Sequence, residues 1–177
     1  NFKLGFELDL FGSLLDDVPE GTEVFRYTSL STLLHTIRDC KYRLNCIVAM
    51  NDRSEINYVE RYLNNNLNLV ELKESEVKYA NKRFISSFTV KKDDLSLWRM
   101  YTENASGVCM VFKVVSSSMS DGCFLKKVSY ADSNNYHQKL DVLKNLLDNI
   151  KTTLQVEFKF YTLYIWKHFF KPCEYKD

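Results

Sequence analysis

The stretch DDLSLWRMYTENASGVCMVF, residues 93–112, decides the fold of this chain. The two aspartates that open it are residues that commonly cap a helix, and a carboxylate there suits the positive end of the helix dipole. Leu95, Trp98 and Tyr101 follow at a spacing of three, which places them on one helical face. Gly107 ends the helical pattern, and the apolar run after it is typical of a strand. The stretch therefore predicts a capped helix, a tight connection and a strand.

Two interpretations of Trp98 and Tyr101 stay open at this point. The pair either packs on a sheet as part of the core, or it shapes a pocket for a flat ligand. Both side chains carry a polar group that needs a partner when it is buried, so an aliphatic pair would have been the simpler choice for a core.

The composition is that of a folded domain without a strong electrostatic preference. The chain has 177 residues, of which 45% are hydrophobic, and a net charge of +1. These values exclude a disordered chain and a globally basic nucleic-acid binder. No apolar run reaches the roughly 18 residues that a membrane helix needs. We therefore expect a cytoplasmic protein that does not enter a membrane.

The cysteines and histidines do not form a recognisable metal or disulfide pattern. The five cysteines are irregularly spaced, no two of them form a C-x-x-C pair, and the three histidines lie far apart. A reducing compartment and no metal are therefore expected, with Cys109 and Cys123 as small buried hydrophobes inside strands. Glycine-rich phosphate loops and G-x-S-x-G elbows are not found in the sequence.

Apolar periodicity predicts interleaved strands and helices, then a helical C-terminal part. Strands are expected near 23–27, 41–50, 83–90, 107–115 and 123–132, with helices after Ser29 and within 51–66. Residues 133–170 are expected to be helical, with a break near 149–153. The class is α+β: a single domain over 23–177 after an N-terminal extension of 1–22, with a mixed or antiparallel curved sheet flanked by helices and long C-terminal helices.

Several short motifs resemble a bacterial family known as domain of unknown function 2971. The most specific of them is W-x-x-Y-x-x-x-x-x-G-V-x-x-x-F at 98–112. Weaker motifs precede it in the same order, and Arg53 stands where the family often has proline. The resemblance covers about residues 25–130 and the closing FFKPCEYKD; its weaker motifs are Phe25-x-Tyr27-x-Ser29-Leu30, Asn51-Asp52-x-x-Glu55 and Ser87-Phe88-Thr89.

The order of these motifs is also similar to that of ADP-ribosyltransferases. That resemblance implies NAD as cofactor and transfer of ADP-ribose to an unknown acceptor, in a toxin or phage-defence setting. It implies catalytic roles for Arg26 and Ser87, and a carboxylate on a strand expected beyond Asp177. The cofactor-binding residues that it implies are Tyr27, Ser29, Asn51, Phe88, Thr89, Trp98 and Tyr101.

A different function is carried by FKFYTLYIWKHFFK, residues 158–171. Aromatic rings flanked by lysines are typical of surfaces that hold single-stranded nucleic acid, while the regular apolar stripe favours a core or a partner interface. The alternative is therefore a non-catalytic recognition module for a partner protein or, less favoured, a nucleic acid. An uncharacterised structural or interaction domain is the third interpretation. Asn51, Asp52 and Glu55 form either a helix cap or part of a cleft that the FRYTS stretch, residues 25–29, also lines.

Overall fold

The computed structural model describes residues 13–46, 58–64, 84–116, 123–154 and 167–176. The chain divides into two compact units, each assembled from separate segments. The first unit comprises 1–17, 50–83 and 126–177, and the second comprises 18–49 and 84–125. The expected boundary between an extension, 1–22, and a domain, 23–177, stays a prediction.

The second unit is built on an antiparallel hairpin of two strands distant in sequence. Strand β1 (Glu23–Thr28) pairs with β4 (Val108–Lys113), so that Phe25 lies opposite Val111. A valine cluster is buried beside the hairpin. Its members are Val18, Val24 and Val114, with Phe88, Phe112 and Leu125 packed against them.

Two further short strands extend this arrangement. Strand β2 (Asn45–Cys46) pairs antiparallel with β3 (Phe84–Ile85). A few residues after β3, Thr89 forms an isolated antiparallel bridge with Phe25 of β1. Both backbone hydrogen bonds of that bridge are formed, 2.7 Å from Phe25 N to Thr89 O and 3.0 Å from Thr89 N to Phe25 O. The 84–89 segment therefore lies between β2 and β1.

Two helices of the second unit begin at residues whose side chains cap them. Helix α1 (Leu30–Asp39) starts after Ser29, whose hydroxyl accepts a hydrogen bond from Thr32 N. Helix α3 (Leu95–Tyr101) starts after Asp94, whose carboxylate accepts from the amides of Ser96 and Leu97. Both caps satisfy amides that have no partner within the helix.

The connection from α3 to β4 is tight because backbone atoms crowd Gly107. A Cβ atom at this position would lie 2.3 Å from Thr28 O. Before it, Glu103, Asn104 and Ala105 all have positive φ, between 52° and 69°, which reverses the chain. Residues with side chains rarely adopt this conformation in succession, so the reversal is held by surrounding contacts such as Ala105 N to Trp98 O at 3.2 Å.

The first unit packs two helices against a parallel pair of short strands. Helix α2 (Tyr58–Asn64) contacts α4 (Gln138–Leu154), and β5 (Ser129–Tyr130) pairs with β6 (Phe170–Lys171). Short 3₁₀ helices, Lys167–Phe169 and Cys173–Tyr175, flank β6. The fully buried side chains of this core include Val59, Leu63, Leu140, Leu143 and Phe170.

The α+β class is confirmed, while the larger curved sheet stays a prediction. The described strands form three two-stranded sheets and the described helices number four. The helix break expected at 149–153 is wrong, because α4 continues to Leu154. The helix expected through 170 is also wrong at its end, where a 3₁₀ helix and β6 replace it. Residues 155–166 lie outside the described part of the chain.

Some expectations about burial need correction. The apolar residues of α1 share one face, on which Leu33 is half-buried and Leu30, Leu34 and Ile37 are exposed. Cys123 is exposed rather than buried, whereas Cys109 is half-buried in β4. None of the described helices combines the length and the apolar character that crossing a membrane requires.

Candidate functional site

Arg26 and Ser87, the two residues expected to be catalytic, are neighbours. Arg26 Nη1 donates a hydrogen bond of 2.8 Å to the carbonyl oxygen of Ser87, across a sequence separation of 61 residues. Arg26 and Ser87 meet because Phe25 and Thr89 form an antiparallel bridge. If that pairing continued, Tyr27 would lie opposite Ser87, and Arg26 is the residue next to Tyr27. The ladder is not continued as a strand, and the guanidinium binds the Ser87 carbonyl instead. The contact uses the backbone of Ser87, so its exposed side chain is not committed by it.

Arg26 and Tyr27 lie on opposite faces of β1 because successive strand residues alternate. Arg26 shares its face with Val24 and hence with Phe112, the strand partner of Val24. Tyr27 lies on the face of Phe25, where Trp98 meets its ring edge-on with centroids 5.2 Å apart. The predicted residues therefore divide into two groups, one on each face of β1.

The first group adds aromatic rings to the Arg26 face. Phe88 packs edge-on against Phe112 with centroids 5.4 Å apart, and Tyr42 stacks on Phe88 at 5.9 Å. The Tyr42 hydroxyl and the Ser86 hydroxyl are 2.7 Å apart. Tyr42 was not among the residues predicted from the sequence. Its signal was weak, since it is one tyrosine among eleven and lies in a short loop before β2.

The second group is organised by the Tyr27 hydroxyl. This ring is only 5% exposed, and its hydroxyl accepts from Asp94 N at 3.1 Å and donates to Lys91 O at 3.1 Å. Trp98 Nε1 donates to Asp93 Oδ1 at 2.9 Å. Tyr27 therefore fixes the start of α3 and the position of Trp98, and its ring is covered.

The other predicted cofactor-binding residues have varied surroundings. The Ser29 hydroxyl caps α1, and Thr89 Oγ1 accepts from Lys91 N at 3.0 Å. Tyr101 is 55% exposed on α3, so it does not form a buried face with Trp98. Asn51 lies outside the described residues. Each side-chain role proposed for NAD stays a prediction.

Cys109 is the thiol nearest to the second group. Burial raises the pKa of this thiol, and the neighbouring Tyr27 side chain opposes the increase. A thiol with a raised pKa is less often the thiolate that reacts as a nucleophile. Cys109 thus has the surroundings of a packed residue. Across the part of the chain that the structure describes, no three His, Cys, Asp or Glu side chains gather as a metal site would require.

Comparison with protein-family models gives one match. Residues 97–176 match the model described as Protein of unknown function (DUF2971). Comparisons with curated proteins and with solved structures gave no match. The matched range contains the Trp98-to-Phe112 motif and the closing FFKPCEYK, while the weaker motifs before residue 97 lie outside it. Residues 97–176 are therefore similar to the DUF2971 family, as the Trp98-to-Phe112 motif predicted.

Proposed function

We propose that the second unit binds NAD on the Arg26 face of β1 and that the chain acts as an ADP-ribosyltransferase-like protein. The observation that carries the proposal is the contact between Arg26 and the Ser87 backbone, which brings together the two residues that the resemblance assigns to catalysis. The proposal includes the finer fold: β2, the 84–89 segment, β1 and β4 form one curved sheet in that order.

Arg26 suits an anionic ligand because its guanidinium has five N–H donors in a planar fork. Within the described residues, the bond to Ser87 O is its one hydrogen bond. The remaining donors match the paired oxygens of a pyrophosphate. The half-buried rings of Phe88 and Tyr42 on the same face offer a flat apolar surface to a base or a nicotinamide.

The reaction needs few protein groups. The bond between ribose C1′ and nicotinamide N1 breaks, and its electron pair leaves with the nicotinamide. The ribosyl carbon becomes oxocarbenium-like and is attacked by a nucleophile of the acceptor, which then loses a proton. Hydrogen bonds from Arg26 and the Ser87 hydroxyl would hold the dinucleotide during this step, and a carboxylate would stabilise the positive charge. A toxin or phage-defence setting stays a prediction.

Calorimetric titration with NAD tests the binding step. We expect Arg26→Ala to weaken NAD binding at least about tenfold, the loss of one charge-assisted hydrogen bond. Ser87→Ala removes only the hydroxyl and keeps the carbonyl that Arg26 contacts, so a weaker effect with an unchanged melting temperature is expected. Arg38→Ala is the matched control, because Arg38 is an exposed arginine bound to its neighbour Asp39. Equal NAD affinity in all four proteins would refute the proposal.

Release of nicotinamide from NAD, measured with and without cell lysate, tests the transfer step separately. Turnover that Arg26→Ala abolishes supports the transferase. Binding of NAD without turnover limits the function to NAD recognition. Salt-sensitive binding of single-stranded RNA with neither result would instead favour the recognition module expected from residues 158–171. Most of that segment lies outside the described residues.

A further inference from the structure

His137 is buried in the first unit, whereas the proposed NAD site lies in the second unit. Its side chain is 1% exposed, and its ring meets that of Phe170 edge-on with centroids 5.2 Å apart. Tyr62 and Tyr58 of α2 lie 6.4 Å and 6.3 Å away between ring centroids. His137 directly precedes α4, and its imidazole contacts α2 and β6.

Both ring nitrogens of His137 contact backbone groups that determine where its proton lies. Nε2 is 3.2 Å from Ser129 O, a group that only accepts, so Nε2 carries the hydrogen. Nδ1 lies 3.5 Å from the amide of Leu140, which only donates, so Nδ1 is the unprotonated nitrogen. The neutral imidazole therefore links β5 to the first turn of α4 and acts as a helix cap.

The backbone of His137 reinforces this position. Its carbonyl accepts from Asp141 N at 3.0 Å, the first hydrogen bond of α4, and its amide donates to the Tyr62 hydroxyl at 3.1 Å. The Tyr62 hydroxyl lies 3.4 Å from Asp141 Oδ1, to which it donates. These hydrogen bonds of the Tyr62 hydroxyl and the His137 backbone thus join α2 to the start of α4.

Protonation of Nδ1 would break this arrangement. The new N–H would face the Leu140 amide, so two donors would oppose each other and the cap would be lost. The positive charge would also lie at the N-terminal end of α4, where the helix dipole disfavours cations. Burial lowers the pKa of His137, and Lys139 lowers it further, whereas the Ser129 carbonyl and the His137 backbone oppose this shift.

Among the described residues, the carboxylates near His137 do not supply a buried counter-ion that would offset the charge. Asp141 is half-buried and already accepts from Tyr62, and Asp132 is exposed and accepts from the amides of its own loop. Among the side chains that the structure describes, the titratable and charged groups on the elements packed here are Tyr58, Arg61 and Tyr62 of α2, Tyr130 of β5, Asp132 and Tyr136 of the loop, Lys139, Asp141, Lys144, Asp148 and Lys151 of α4, and His168, Lys171, Cys173, Glu174, Tyr175 and Lys176 around β6.

We propose that His137 is an acid-sensitive contact, and that proton uptake at Nδ1 releases the start of α4 from β5 and α2 within the first unit. This acid-sensitive contact lies within the region that matches DUF2971. Because the folded-state pKa lies below that of the unfolded chain, the stability from this residue is fully present above about pH 6.5. It is lost as the pH falls below that value toward the folded-state pKa.

Hydrogen–deuterium exchange of peptides covering the first three turns of α4 tests the proposal. After correction for the intrinsic rate, we expect exchange there to be about tenfold faster near pH 5 than near pH 8, a response of the size that one coupled proton produces. His137→Asn keeps a side-chain acceptor at the cap and cannot titrate, so its exchange is expected to be nearly independent of pH. An NMR titration of the His137 ring in the native protein gives a reading that does not depend on this variant.

Two matched variants identify the responsible imidazole. His35→Asn alters the exposed histidine of α1 and is expected to leave the acid response intact. His168→Asn alters the other buried histidine of the same unit and is also expected to leave it intact. An acid response that disappears in His168→Asn but persists in His137→Asn would overturn the proposal. So would a His137 ring that titrates at or above the ordinary histidine pKa, or α4 exchange that does not change with pH.

Discussion

At the scale of single residues, the Tyr27 hydroxyl joins two distant segments of the second unit. It joins β1 to the turn before α3 by accepting from Asp94 N and donating to Lys91 O. We expect Tyr27→Phe to lower the free energy of unfolding by about 1–3 kcal/mol, since two backbone groups lose their partner. Urea unfolding measures this change.

Tyr101→Phe is the matched control for the Tyr27 prediction. Tyr101 lies on the same short helix that the Tyr27 hydroxyl fixes, but its side chain is exposed to solvent. The control variant is expected to unfold within about 0.5 kcal/mol of the native chain. Equal losses in the two variants would show that the Tyr27 hydroxyl does not stabilise the turn.

Gly107 gives a second prediction at this scale, because an added methyl group would meet backbone atoms. Thr28 O would lie 2.3 Å from the new Cβ, a contact that cannot relax by rotating a side chain. We expect Gly107→Ala to cost about 3 kcal/mol or to prevent folding. Gly21→Ala is the comparison: its φ is 83° but no atom lies within 4 Å of the added group, so a cost of about 1 kcal/mol is expected from the backbone alone. Thermal unfolding distinguishes the two.

Residues that act locally were predictable from the sequence, and residues that act at a distance were not. Ser29 and Asp94 cap helices within three positions of themselves, so composition and spacing suffice to find them. The contact between Tyr27 and Asp94 spans 67 residues, and nothing in either neighbourhood indicates it. The same holds for Tyr42, which joins Phe88 only because β2 pairs with β3.

At the scale of elements, the junction of α2 with α4 carries a prediction based on two tyrosines of one helix. The Tyr62 hydroxyl accepts from His137 N and donates to Asp141, whereas the buried Tyr58 hydroxyl has no hydrogen-bond partner among the described residues. We therefore expect Tyr62→Phe to destabilise the chain by about 1–2 kcal/mol and Tyr58→Phe to be neutral or slightly stabilising. Chemical denaturation of both variants measures the difference, and a larger loss in Tyr58→Phe would contradict it.

Element prediction succeeded where one stretch contained the whole signal. Residues 93–112 specified α3, the reversal at Gly107 and β4, because the cap, the aromatic spacing and the apolar run are all local. It was less successful for strands whose partners are distant. The run at 83–90 looked like one strand, but its regular pairing is limited to Phe84–Ile85 and the bridge at Thr89. The break expected at 149–153 does not occur, because α4 carries the largely exposed polar residues of that stretch without ending.

At the scale of the whole molecule, the sequence predicted the fold class but not how the candidate residues divide. Successive side chains of any strand point to opposite faces of the sheet. This rule separates Arg26 from Tyr27 only once β1 is known to be paired and covered on both faces. Arg26 and Ser87 therefore fall in one group and the rings of Tyr27 and Trp98 in the other, and their roles in NAD binding stay predictions. The family match does not resolve their roles, because the function of DUF2971 is unknown.

The last prediction concerns the rates at which the five cysteines, which lie in both units, react with an alkylating reagent. All of them lie in described residues and all are free thiols, with Cys40 and Cys123 exposed. Cys109 is half-buried and burial raises the pKa of its thiol, so little thiolate is present at neutral pH. We expect iodoacetamide to label Cys40 and Cys123 first and Cys109 slowly in the native protein, because the thiolate is the reacting form. Mass spectrometry of proteolytic peptides over time measures these rates.

The denatured chain supplies the control for the labelling experiment. In denaturant without reductant, all five thiols should react at similar rates, because burial no longer shields Cys109 or raises its pKa. A denatured chain that takes up fewer than five labels would contain a disulfide, contrary to the free thiols of the fold. Native labelling of Cys109 as fast as that of Cys40 would show that β4 opens readily from β1, since these two strands shield the thiol by pairing Tyr27 opposite Cys109.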